Sequence, residues 1–246
     1  MNSAIRNIYR LIIIVFLLAC VILTVRSGLI EYLSDPNEIL YTIRLVGQHV
    51  NMVIVSMAIA TTLGLSIGII FTRPRLKRFS GIIMYIVGLG QTVPSLAVIA
   101  IAMSFLGIGF KAAVFALFTY SILPIARNTI AGIRSVPPWI IDAAKGMGMP
   151  GLQILFQVEI PNAMKVILTG FRVALVINIG TAALAFLIGA GGLGEHIFTG
   201  IDLMRSDKLL AGAIPTALLA LLADYMCELL GLIIIPRGLR LTQGVR

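Results

Sequence analysis

Uncharged apolar stretches alternate with short polar segments along the chain, and their lengths are those of membrane-spanning helices. A helix rises 1.5 Å per residue, so about twenty apolar residues cross the hydrocarbon of a bilayer. Residues 50–71 carry no charge and stop at Arg73-Pro74-Arg75-Leu76-Lys77-Arg78. Residues 79–110 carry none either, which is longer than one span requires, and Pro94 predicts a kink or break within it. Gly107-Ile108-Gly109 and Lys111 then supply a turn before another span at 112–131. A polar island covers 132–165, and the next span, 166–190, ends at Gly191-Gly192-Leu193-Gly194. The last span, 209–235, is stopped by Pro236 and Arg237. Residues 11–25 are apolar but shorter, a length that also suits a signal peptide. Val25-Arg26-Ser27-Gly28 makes a poor small-residue cleavage site, so a retained first helix is expected. Residues 27–48 are polar, with Glu31, Asp35 and Glu38, and Pro36 is expected to break any long helix there. The pattern predicts an all-α integral membrane protein of six spans. Its main domain is 49–236, preceded by a helix and polar segment (1–48) and followed by a tail (237–246).

Composition agrees, with 59% hydrophobic and only 12% charged residues, against roughly a quarter charged in soluble domains. A net charge of +9 would suggest nucleic acid in a soluble chain, but here the basic residues cluster between spans. Cytoplasmic loops of membrane proteins are enriched in Lys and Arg. An N-terminus inside puts only Arg26, Arg44, Lys111, Arg205 and Lys208 outside and the other fourteen of 19 inside. Both termini and the polar island are therefore expected in the cytoplasm. Cys20 and Cys227 lie far apart in apolar segments and are expected to be buried thiols.

The island is longer than a connector needs. Pro137-Pro138 opens a short helix expected over 139–147, Gly148-Met149-Pro150-Gly151 breaks it, and a second is expected over 152–158. Pro161 is expected to set the re-entry into the membrane. Trp139 and the Ile-rich runs also suit a segment lying on the membrane surface.

The spacing of Asp142-Ala143-Ala144-Lys145-Gly146-Met147-Gly148 to Val158-Glu159-Ile160-Pro161 resembles the "EAA" loop of permease subunits in binding-protein-dependent ABC importers. Asp142 stands where that family has Glu. Gln91-Thr92-Val93-Pro94-Ser95-Leu96, Ile122-Leu123-Pro124-Ile125-Ala126-Arg127-Asn128-Thr129, Ala144–Met149 and Ile188–Gly194 resemble motifs of its glycine betaine, carnitine and choline branch. The similarity runs from Ile43 to about Glu228. The glycine-rich match is shared with methionine permeases, so an amino-acid importer is the alternative, and an autonomous secondary transporter a more distant one.

The resemblance implies a type I importer permease fold in the bacterial inner membrane. It implies a second permease subunit, separate ATPase chains carrying ATP and Mg²⁺, and a separate external solute-binding protein, since no receptor domain follows the last span. It makes Asp142, Ala143, Ala144, Gly148, Val158, Ile160 and Pro161 the ATPase-coupling loop. The small Ala143-Ala144 pair would let a partner groove close on the helix. No cofactor, metal site or catalytic residue is expected on this chain; no P-loop, zinc signature or nucleophile elbow occurs.

Polar residues within the spans are the remaining candidates. Gln91, Pro94, Asn178, Thr181 and Asp224 are candidates for a translocation path, with interhelical hydrogen bonding as the other role open to Gln91, Asn178 and Thr181. Arg172 and Glu228 lie at matching depth and are expected to form a structural ion pair, leaving Asp224 without an obvious partner. His49 and His196 are expected at the outer membrane boundary. With a single Trp, at 139 in the island, no aromatic cage for a quaternary ammonium is legible. Selectivity is expected to lie mainly in the receptor.

Overall fold

The computed structural model describes residues 25–235. Residues 11–24 of the expected first span, Cys20 and the tail 237–246 lie outside the described residues. The described chain is helical, with no strand: α1 (Leu29–Ser34), α2 (Pro36–Ile70), α3 (Ser80–Thr92), α4 (Ser95–Leu106), α5 (Phe110–Arg134), α6 (Pro138–Gly146), α7 (Gly151–Ile154), α8 (Ile160–Ala182), α9 (Gly194–Asp202) and α10 (Ser206–Ile234). Four helical stretches are long and apolar enough to cross a membrane, and α3 with α4 makes a fifth if the bent pair counts as one.

Pro36 does interrupt the helical path, since α1 ends at Ser34 and Asp35 is extended, but it also starts a long helix of its own. It occupies the first turn of α2, where its missing N–H is no loss, and the Asp35 side chain caps the turn by accepting from Asn37 N at 2.8 Å. The second span thus begins well before residue 50. At 35 residues, or roughly 50 Å, it outreaches the roughly 30 Å of hydrocarbon. Its first turns must stand clear of the bilayer.

Pro94 does break the third span. Helices α3 and α4 meet there at 95°, with Val93 extended before a proline that lacks the donor to continue the ladder. The expected boundary at Pro161 is corrected. Residues 155–159 form a π turn in which Ile160 N bonds Leu155 O, and α8 follows without interruption, Pro161 resting in its first turn. The wider turn tolerates the missing N–H of Pro161, and the helical path from Gly151 to Ile188 is long and apolar enough to count as one span.

Helices α2, α5 and α8 pack together as the core, with Met52, Met57, Leu117, Ile125 and Ile179 buried among them. Glycines bring them close. A methyl group at Gly64 would meet Ile125 Cβ at 2.8 Å, and one at Gly170 would meet Asn128 Cβ at 2.5 Å. Lipid gives apolar helices little reason to associate, so small residues that allow close approach hold such bundles together. Helix α10 packs on α8 and α9 but stays largely outside the core.

Candidate functional site

The island folds as a knob built on α6, α7 and the π turn. Gly148 has φ +76°, the left-handed conformation in which glycine costs least, and it ends α6 by reversing the chain. Gly148 N bonds Lys145 O at 2.9 Å and Met149 N bonds Ala144 O at 3.2 Å. Ala144 is 1% exposed and shares the interior of the knob with Ile154 and Leu155. The expected partner contact at Ala144 is therefore corrected: the small side chain lets the knob close on itself. Ala143 stays outside, and Asp142 pairs with Lys145 at 3.1 Å one helical turn away. Val158, Ile160 and Pro161 are half-buried at the base.

Sequence inspection missed two features of the knob. Glu159, almost buried, forms an ion pair with Arg73, which also bonds Thr72 Oγ1 at 3.0 Å. The pair ties the base of the knob to the chain just beyond α2. The other is a set of exposed apolar side chains: Trp139, Met147, Leu152 and Phe156 are 72%, 74%, 72% and 63% exposed. The periodicity of such short segments does not separate an inner face from an outer one.

Inside the bundle, Asn178 is fully buried and bonded on both ends of its amide. Its Oδ1 accepts from Ser56 Oγ at 3.1 Å, and its Nδ2 donates to Ser121 Oγ at 2.8 Å. It clamps α8 to α2 and α5, so its candidacy for the path is corrected. His49 is likewise fully buried, its Nε2 3.0 Å from Ile179 O. The turn after residue 188 packs against it. Gly189, Gly191 and Gly192 have φ of 72°, 75° and 86°, and Gly192 N donates to Gln48 Oε1 at 3.0 Å. A methyl group at Gly194 would come within 1.8 Å of Ala183 O. Only glycines fit there, and Gln48, which had no motif to mark it, holds the turn.

The break at Pro94 is fastened to α5. Gln91 Nε2 donates to Tyr120 O at 2.7 Å, and the Tyr120 hydroxyl donates to Val93 O. Thr181 is half-buried and donates to Ile177 O at 2.8 Å. Thr181 Oγ1 also donates to Asn178 O at 3.2 Å, and no hydrogen bond among the described residues links this pair to Gln91 or Asp224.

The ion pair between α8 and α10 is also redistributed. Arg172 grips Asp224 through both Nε and Nη2, and Glu228 stands back at 3.6 Å. Asp224 therefore has the partner that the sequence did not reveal. The three side chains are 38%, 34% and 61% exposed, so the group sits on a face of this chain and not inside it.

At the other end of the molecule, α1, the start of α2 and α9 form a polar cluster. His196 is fully buried within the protein. Its Nε2 lies 2.9 Å from Thr42 Oγ1, and its ring stands edge-on to Tyr32 and Tyr41 at 6.0 and 5.6 Å. Tyr41 donates to Glu195 and Tyr32 to Glu38. Burial, with Lys208 nearby, pulls the His196 pKa below its ordinary value, and burial beside Glu38 pushes the Tyr32 phenol up. A cavity of about 330 Å³ opens beside Tyr32, lined by Glu31, Asp35, Glu38, Arg205 and Asp207. Among the described residues no group of three His, Cys, Asp or Glu could hold a metal, and Cys227 is a buried free thiol.

Long apolar helices around a tight three-helix core, with a self-contained knob between two of them, define a multi-pass membrane protein. The chain belongs to the family described as binding-protein-dependent transport system inner membrane component, whose profile matches residues 60–232. It is 46% identical over 221 residues to an osmoprotectant import permease of Salmonella typhimurium, covering 89% of this chain and 91% of that one. A carnitine transport permease of Listeria monocytogenes is 41% identical over 194 residues, 78% of this chain and 88% of the relative. A glycine betaine/carnitine/choline permease of Bacillus subtilis is 36% identical over 213 residues, 87% and 94% of the two chains. Among solved structures, the inward-facing MetNI methionine ABC transporter superposes with TM-score 0.71 at 22% identity, covering 82% of this chain and all of that one. An amino acid ABC transporter gives 0.67 at 20%, covering 81% and 96%. These two likenesses concern the fold.

Proposed function

We propose that this chain is the permease subunit of an ATP-driven importer for a small quaternary-ammonium osmoprotectant such as glycine betaine, choline or carnitine. The names of the relatives support that solute class. The observation that carries the coupling mechanism is the exposure of the apolar side chains Trp139, Met147, Leu152 and Phe156 on a knob whose own interior is closed. Exposed apolar side chains of this kind on an otherwise tied-down element suit a protein partner.

In this reading the chain has six spans, with residues 11–25 as the first, both termini in the cytoplasm, and a type I importer fold. A second permease subunit, identical or related, completes the path. Separate ATPase chains carry ATP and Mg²⁺ and dock on the knob, and an external solute-binding protein delivers the solute and sets most of the selectivity. Force on the knob reaches the core through α8, which continues from it, and through Glu159–Arg73 to the end of α2. ATP-driven closure thereby switches the path between its two facings. Gln91, Pro94, Thr181 and Asp224 remain candidates for lining it.

The test is uptake of radiolabelled glycine betaine, choline, carnitine and methionine by proteoliposomes holding the chain with its ATPase and receptor. ATP-dependent uptake of at least one of the first three is expected. Uptake of methionine alone would move the chain to the amino-acid branch. Uptake without any ATPase chain would make it an autonomous transporter.

A further inference from the structure

Arg172, Asp224 and Glu228 pose a physical problem that the ion pair alone does not resolve. Asp224 lies about 15 Å and Glu228 about 9 Å from the end of α10 at Ile234, counting 1.5 Å per residue. Both are thus within the span. The most apolar window of α10 is only 11% buried, against 50% for α5, and the three charged side chains open onto that unburied face. Charges turned toward hydrocarbon are strongly disfavoured, so this part of the face looks onto water or protein and not lipid. Arg172 is already neutralised by its two contacts with Asp224. The three charges sum to −1, and that surplus belongs to Glu228, the most exposed of them. Tyr225 lies one helical turn from Glu228 on the same side and is 59% exposed. Among the described residues no hydrogen bond holds its phenol.

A carboxylate beside an open aromatic ring is a recognition element for a small organic cation: the ring face attracts the positive charge, and the carboxylate supplies its counter-ion. We infer that Glu228 and Tyr225 form a cation subsite within the membrane, anchored by the Arg172–Asp224 pair, for a solute with a permanent positive charge in transit. The inference rests on the permease reading above and adds where the solute touches this chain. Both side chains are more than half exposed, which suits a path, because a solute held tightly would not leave.

The test uses the complex of this chain with its ATPase and receptor in proteoliposomes, with labelled choline as the probe because it carries the cation without a carboxylate. Glu228→Gln and Tyr225→Leu should each lower choline uptake about tenfold. Glu228→Asp should restore most of the loss, and all three variants should copurify with the ATPase and the second permease subunit. Uptake within twofold of the native complex for both Glu228→Gln and Tyr225→Leu would overturn the site and leave the permease reading standing. Loss of permease pairing in those two variants would also overturn it, by making the face a protein contact. A native complex that moves none of choline, glycine betaine and carnitine would instead defeat the underlying reading.

Discussion

Gly148 and Ala144 lie four positions apart in one motif yet do different work. A side chain at Gly148 would meet nothing within 4 Å, so a substitution there acts through backbone strain alone, about 1–2 kcal/mol for a left-handed L-residue. Gly148→Val should distort the end of α6, leave insertion intact and weaken both ATPase copurification and uptake. Gly148→Asn, which tolerates the left-handed conformation, should retain both. Equal behaviour of the two would remove the argument from φ. Ala144 is packed within the knob, so Ala144→Leu should lower its stability by about 1–3 kcal/mol through overpacking. Trp139→Asp should weaken ATPase binding without lowering the thermal midpoint. Asn178 gives the contrasting case of a polar residue used inside the bundle. Asn178→Ala should cost about 1–2 kcal/mol, since interhelical hydrogen bonds in membranes are individually modest. The check is the midpoint of thermal unfolding in detergent, where an unchanged value would deny the clamp.

Among the elements, three prolines have three outcomes that depend on position in the helix. Pro36 opens α2 because its missing donor falls in the first turn. Pro94 separates α3 from α4, with Val93 extended before it, whereas Pro124 and Pro215 also lack the donor yet stay inside α5 and α10. Pro161 is absorbed because a π turn precedes it. The sequence locates all three, but their consequences depend on what the surrounding helices hold in place, as Gln91 and Tyr120 do at Pro94. The junction of α9 with α1 and α2 yields a pH prediction. His196 has its pKa lowered from 6.5 by burial and Lys208, with Glu38 and Glu195 opposing. The folded state therefore favours the neutral ring, whereas the unfolded chain binds the proton more readily. Stability from this residue is present above about pH 6.5 and declines as pH falls below it. The thermal midpoint of the native protein should fall between pH 7 and pH 5 by more than that of His196→Gln. An identical slope for both would exclude His196 as the source.

At the scale of the whole molecule, the 14-to-5 division of basic residues is the basis of the proposed orientation, with both termini inside. Reporter fusions after Gly109 and Gly194 should lie outside, and fusions after Lys77 and Pro150 inside. An inside signal after Gly194 would invert the arrangement and place the knob beyond reach of a cytoplasmic ATPase. In the proposed orientation the cavity bounded by Glu31, Asp35, Glu38 and Asp207 lies on the external side.

By itself, the sequence determined that the chain is helical and membrane-embedded, roughly where each described span lies, and that a structured island separates two of them. Those properties follow from runs of apolar residues, whose effects are local and additive along the chain, and from where Gly and Pro punctuate them. Gly148 is the clearest instance, its left-handed turn legible from its place after a short helix. What tertiary structure alone decided is which polar residue meets which. Arg172 closes on Asp224 in preference to Glu228, Asn178 turns inward, and Gln48 caps the glycine turn. His49 and His196 are buried, and Ala144 faces the interior of the knob while Trp139 faces out. Matching depth leaves the rotation of each helix about its axis undetermined, and that rotation is set by close packing at glycines such as Gly64 and Gly170, between residues far apart in the chain.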